Sequence, residues 1–237
     1  TYYPYYRDSA MTQLSGNEQT TINETIEVTQ NSTDIDIIRN NTASNITITQ
    51  GVEDVDLDLS KIINSSGTTV SATLTGSINI ESNTSVGLIT VEIPENVTIS
   101  GNSSWNGIIT TPTVEEVSSV SVDADSGYSA SVSKVIELGF PNIKLSFDKA
   151  VRIVIEGQAG QNAGYSQGGV FTKISNTCSG DSQIVGDALV ADGDCKINSG
   201  DDLVIWTKHF TKFITYSQTV LPIDTTLNPS GGGSCTY

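Results

Sequence analysis

Apolar and polar positions alternate along most of the chain, and the runs are short. In the first half they fall at 25–29, 34–38, 46–49, 55–59, 70–74, 77–80, 87–93 and 97–99, with Asn, Gly and Ser between them. Alternation with a period of two places one face of a strand on a core and the other in solvent. Short strands recurring at roughly ten-residue spacing predict an antiparallel sandwich or barrel. A solenoid also gives regular spacing, but no position-specific repeat is visible, so none is expected.

The second half repeats the pattern with longer runs, at 114–122, 129–139, 143–155, 170–174, 202–207 and 213–220. Between the halves, "SWNGIITTPT" carries Gly107 and Pro112 and reads as a boundary. The Gly-rich stretch "EGQAGQNAGYSQGG" at 156–169 reads as a loop. The fold expected is therefore all-β, with two sandwich-like domains (Ig-like or jelly-roll-like) at 21–112 and 113–223. A Gly/Ser tail follows at 224–237. Ahead of the domains, "TYYPYYRDSAMTQLSGNEQT" is too short to form a core and reads as an extended arm. Its Tyr5, Tyr6, Met11 and Leu14 are the side chains available to dock elsewhere.

Composition sharpens this. Ser and Thr make up 59 of 237 residues, which agrees with a β-rich, hydroxyl-coated chain. The net charge is −16 and both halves are acidic, so there is no basic stripe for nucleic acid and no attraction to an anionic lipid surface. No run of 18 apolar residues is present to span a membrane.

Eight Asn-x-Ser/Thr triplets stand at Asn23, Asn31, Asn40, Asn45, Asn64, Asn83, Asn96 and Asn102, and none follows. Asn228 is followed by Pro229, which disqualifies it. Such triplets are N-glycan acceptors in exported proteins. The density predicts an extracellular, cell-surface glycoprotein whose N-terminal half bears the sugar, with Thr1 its processed N-terminus. In an oxidising compartment Cys178 and Cys195 pair across a short loop and Cys235 is left over.

Chemistry is sparse. His209 is the only histidine, so no multi-histidine metal site can form in one chain. There is no Gly-x-Ser-x-Gly turn, and the Gly-rich loop lacks the Lys-Ser/Thr ending of a phosphate loop. Aromatics are only 6% of residues, too few for the platforms that long sugars stack on. No enzyme activity and no resident cofactor are expected. In "VEDVDLDLS", Asp54, Asp56 and Asp58 share one face and form a candidate cation site, though a solvated strand face looks the same. The loops "DADSGY" and "DGDCKINSGDD" are acidic enough to suggest calcium but lack the spacing of a calcium loop.

Two resemblances add to this reading. "HFTKF" resembles the self-cleavage motif of adhesion-receptor β-sandwich domains. That likeness implies His209 as base, Thr211 as nucleophile and a break between Phe210 and Thr211. The chain departs from the motif at Ile205 and Thr207, where that family has cysteines. Residues 135–219, through "KLSFDKAVRIVIEGQAG", "GDALVADGDCKI" and "DLVIWTKHFTKF", resemble a β domain of secreted surface proteins from archaea and some bacteria. It implies a surface location, with archaeal threads and pilus-like fibres as the analogues.

Together these features predict a filament subunit whose partners are identical copies and covalent N-glycans. The arm at 1–20 is expected to insert beside a neighbour's sheet, with Met11 and Leu14 entering its core. The alternatives are an adhesion or self-cleaving β domain, or a carbohydrate-binding module.

Overall fold

The computed structural model describes residues 24–140 and 143–222. The arm, with Tyr5, Tyr6, Met11 and Leu14, lies outside the described residues, as do Asn23, Cys235 and the tail. What is described is almost entirely strand, arranged as two sheets packed face to face.

The first sheet contains β1 (Glu24–Val28), β3 (Ser44–Ile48), β5 (Ile63–Ser66), β6 (Thr69–Leu74), β7 (Ile78–Thr84), β8 (Gly87–Ile93), β9 (Val97–Asn102), β12 (Leu145–Ile155), β15 (Asp194–Ser199) and β16 (Asp202–Phe210). The second runs in the order β14 (Val170–Lys173), β13 (Asn162–Gln167), β17 (Lys212–Val220), β11 (Tyr128–Gly139), β10 (Ile108–Glu115), β4 (Val55–Asp58), β2 (Thr33–Asp36).

The expected all-β sandwich is what forms, but not as two domains divided at residue 112. β10 runs straight through Pro112, and β12 from the second half pairs with β8 and β9 from the first. One hydrophobic core joins Ile46, Leu57, Ile80 and Ile99 to Ile153, Ile205 and Phe213. Gly107 is a tight crossing rather than a linker. Its φ is +92°, and an added Cβ would lie 2.9 Å from Ser60 N, so a side chain has neither the conformation nor the space.

The N-terminal strands hold a second departure. From β1 to β4 the chain passes alternately from sheet to sheet and the strands pair in parallel, β1 with β3 and β2 with β4, and after β5 and β6 the strand β7 is laid parallel on β3. Ile26, Ile46 and Ile80 stack in register, as do Val28, Ile48 and Ser82. This is a short parallel coil, a solenoid in miniature. Its repeat was invisible because only inward ladder positions must be apolar, and the coil has too few turns to impose more.

β6 to β9 form one long antiparallel hairpin, bent near Pro94 between its β6–β9 and β7–β8 halves. The "loop" at 156–169 contains β13. Gly164 within it lies under Phe171, and a Cβ there would clash with that ring. Small residues serve close packing here, which hides the strand from its pattern. The run expected at 114–122 instead ends its strand at Glu115 and turns through a 3-10 helix at Val117–Ser119.

Cys178 and Cys195 are bonded, closing a loop that carries helix α1 (Gln183–Asp187). Closing a loop of 17 residues contributes about 3 kcal/mol in the chain-entropy account. The loop packs on Ala150, Val204 and Trp206 on the outer face of the first sheet. Arg152 anchors it: its guanidinium donates twice to Asp181, at 2.8 and 2.7 Å, and once to Glu92 at 2.7 Å. The Arg152 guanidinium holds the Asp181 carboxyl below the usual carboxylate range, and the Trp206 indole N–H assists.

Candidate functional site

Seven of the eight sequon asparagines are described, and all seven are exposed. Asn31 and Asn40 sit in turns of the parallel coil, and Asn96 in the bend between β8 and β9. Asn40 and Asn96 have φ of 62° and 52°, the left-handed conformation that Asn tolerates better than most residues. Asn45, Asn64, Asn83 and Asn102 lie on β3, β5, β7 and β9 of the first sheet. Among the described residues no sequon lies on a strand of the second sheet, so the described sequons are confined to the first sheet and the turns of the coil.

The acidic row differs from its expected form. Asp54 precedes β4 in a left-handed turn (φ 58°), while Asp56 and Asp58 lie on the strand. Their registered neighbours on β2 are Asp34 and Asp36. Among the described residues no three acidic, His or Cys groups converge to hold a metal ion. Lys61 instead neutralises Asp36 at 2.6 Å. Burial pushes the Asp56 carboxyl up, and Asp34, Asp54 and Asp58 add repulsion against a hydrogen bond with Thr110. The native state therefore holds this proton to a higher pH than the unfolded chain does. Stability falls as pH rises above the unfolded value of 3.8, and the loss is complete once the pH has passed the folded value. Asp56→Asn should stabilise the protein at pH 7 by less than about 1 kcal/mol, since solvent screens this partly exposed group, and the gain should fade below about pH 4. Urea unfolding at both pH values checks this; an unchanged or lowered midpoint at pH 7 would refute it.

The His209–Thr211 segment forms a corner. β16 ends at Phe210 in one sheet and β17 begins at Lys212 in the other, so Thr211 alone makes the crossing. His209 is fully buried. Its Nε2 lies 3.1 Å from Asp194 Oδ2, its ring meets the edge of Tyr165, and it stacks on Phe213. Nδ1 has no partner. The Thr211 hydroxyl donates to the Ser166 carbonyl at 2.7 Å. It also lines a small cleft of about 280 Å³ with Glu137, Lys144 and Lys212. Burial raises the Glu137 carboxyl, which Lys212 opposes from 3.8 Å.

No family model matches the chain, and no curated protein or solved structure is similar to it. Function must be argued from these residues alone.

Sequence reading missed Asp194, which reaches His209 only through the β15–β16 pairing. It also missed the cross-strand row Asn79, Glu92 and Arg152 on the first sheet's outer face. Neither leaves a local signature, because each is assembled from separate strands. Edges are the last feature. Among the described residues β1, β2, β5, β14 and β15 each pair with one strand only. Of these, β14 and β15 carry no sequon; the other side of β15 is met by the Thr177–Lys196 bridge, whereas β14 is bare and its Val170 is 68% exposed. No helix among the described residues is long and apolar enough to cross a membrane.

Proposed function

We propose that the protein is the structural subunit of an extracellular, cell-surface filament, N-glycosylated on its N-terminal half and built head to tail by strand donation. The observation that carries this is the placing of the edges. The arm enters the fold through β1, which neighbours β2 at one end of the sandwich. The bare edge of β14 lies at the other end of the second sheet, six strand spacings from β2. An arm that leaves one end and pairs at the opposite end of the next copy makes a contact that does not close, which yields a fibre. Sugar on Asn31, Asn40 and Asn64 would guard the β1, β2 and β5 edges against wrong pairing, the Thr177 bridge occupies β15, and β14 would remain the acceptor. Removing residues 1–20 tests the reading: the truncated chain should stay monomeric by light scattering and electron microscopy. Fibres formed by the truncated chain would refute it.

A second reading, self-cleavage, is favoured by the Asp194–His209 pair beside the corner. In it, His209 takes the Thr211 hydroxyl proton and Oγ1 attacks the Phe210 carbonyl carbon. The bond to the Thr211 nitrogen breaks as His209 returns the proton to that nitrogen, and water hydrolyses the resulting ester to a Phe210 carboxylate and the free Thr211 hydroxyl. It requires two fragments on a denaturing gel and a single band for Thr211→Ala. A single band from the unaltered chain rejects it.

A further inference from the structure

We propose that the N-linked oligosaccharide of Asn45 lies back on the protein, seated in a polar groove across β7, β8 and β12. This rests on the reading that the sequons are glycosylated. Asn45 faces outward on β3, and its registered neighbour on β7 is Asn79. Asn79 pairs with Glu92 on β8, and Glu92 with Arg152 on β12. Together they form a straight polar row perpendicular to the strands. At roughly 4.8 Å per strand, the row extends about 14 Å from the Asn45 backbone, the span of a short oligosaccharide.

Along the row runs a groove of about 510 Å³, floored by Asn79, Glu81, Thr90, Glu92 and Arg152. Gln183 of α1 walls one side, and the half-buried Pro94 and Val154 add apolar patches for the C–H faces of sugar rings. The volume falls in the range of ordinary ligand sites. The groove is not solvated strand surface alone, because its polar groups are fixed and partly unspent. Arg152 is immobilised by Asp181 and Glu92, which use three of its five N–H donors and leave two. Asn79 Oδ1 is buried and has no hydrogen-bond partner, a costly state for an amide. Rotation of that amide toward the groove would let a sugar hydroxyl or N-acetyl N–H satisfy it. Glu81 and Glu92 are acceptors for further hydroxyls, and their charge disfavours sulfated or carboxylated sugars. The class that fits is a neutral chain of hexoses and N-acetylhexosamines. Neither Asn45 nor Asn31 lines the groove itself, but Asn45 is in register with Asn79 on its floor, whereas Asn31 sits in an exposed turn of the coil and serves as the internal comparison.

The test uses the full chain secreted by a host that adds high-mannose N-glycans. Timed digestion of the native protein with an endoglycosidase that cuts within the chitobiose core is followed site by site by glycopeptide mass spectrometry. Release from Asn45 should be roughly tenfold slower than from Asn31, as expected when cleavage waits on undocking. Asn79→Leu should raise the Asn45 rate to that of Asn31, and denaturation before digestion should equalise the two. An occupied Asn45 released as fast as Asn31 overturns the docking and leaves glycosylation standing. Slow release that persists in the denatured chain also overturns it. An unmodified Asn45 removes the glycosylation reading at this site, and the proposal falls with it.

Discussion

Phe210→Ala should lower the unfolding free energy by about 3–5 kcal/mol, among the largest losses expected from a single side chain here. Phe210 is fully buried, its ring centre 4.4 Å from that of Phe147, in the core that joins both sheets. It is also the last residue of β16 before the chain crosses, so its packing holds the corner from inside. Relaxation around a truncated side chain is restricted. Gly139, with φ +113°, already brings its backbone so close that a Cβ would lie 2.8 Å from that of Phe210. The registered partner across the sheet is Leu145, likewise fully buried. A cavity bounded by two sheets cannot collapse by moving one loop. Urea unfolding of the disulfide-intact protein should show the loss in the midpoint with little change in slope. A loss below about 1 kcal/mol would mean that the corner is not part of the core.

How much of this was legible follows from the range over which each signal acts. Strand identity is local, so alternation in "SINI" or "GLITVEI" reads correctly, with Ile78 and Ile80 pointing in and Asn79 out, although β7 continues to Thr84, beyond the expected end at Ile80. The disulfide is nearly local, set by two cysteines and a short loop. Topology is not. Nothing in the sequence near residues 24–48 distinguishes antiparallel pairing from the parallel coil, since a stack of Ile26, Ile46 and Ile80 asks only that each position be apolar. The division at Pro112 failed for a related reason. Proline and glycine punctuate, but Pro112 sits in a strand where the β10–β11 register shifts between Thr110 and Thr113, a place where a missing N–H is tolerated. His209 was conspicuous as the only histidine, yet its surroundings were not. Complete burial beside Asp194 depends on β15, a strand the sequence reading did not identify.

Loss of residues 1–20 should abolish fibres entirely, and a mixing experiment tells strand donation from a general loss of adhesiveness. A truncated copy keeps the β14 edge but offers no arm. Under head-to-tail donation it accepts one neighbour and then terminates the chain, so small mole fractions should shorten fibres of the intact protein. If the arm merely promoted aggregation, truncated copies would be spectators and fibre length would not change. Chain length permits the contact: twenty extended residues reach up to roughly 66–72 Å, ample for a strand plus a linker. Charge makes the arm the natural donor. Residues 1–20 carry one Arg against one Asp and one Glu in a chain of net charge −16, so the arm approaches an acidic neighbour with little repulsion of its own. At β14 it would meet Lys173, whose ammonium is held charged by a 2.6 Å hydrogen bond to Asp125. Bound along that edge, the arm would cover Val170, and the backbone groups of β14 not used by β13 would gain partners. Fibre length insensitive to truncated copies, or fibres seeded by truncated copies alone, would place the assembling surface elsewhere on the sandwich.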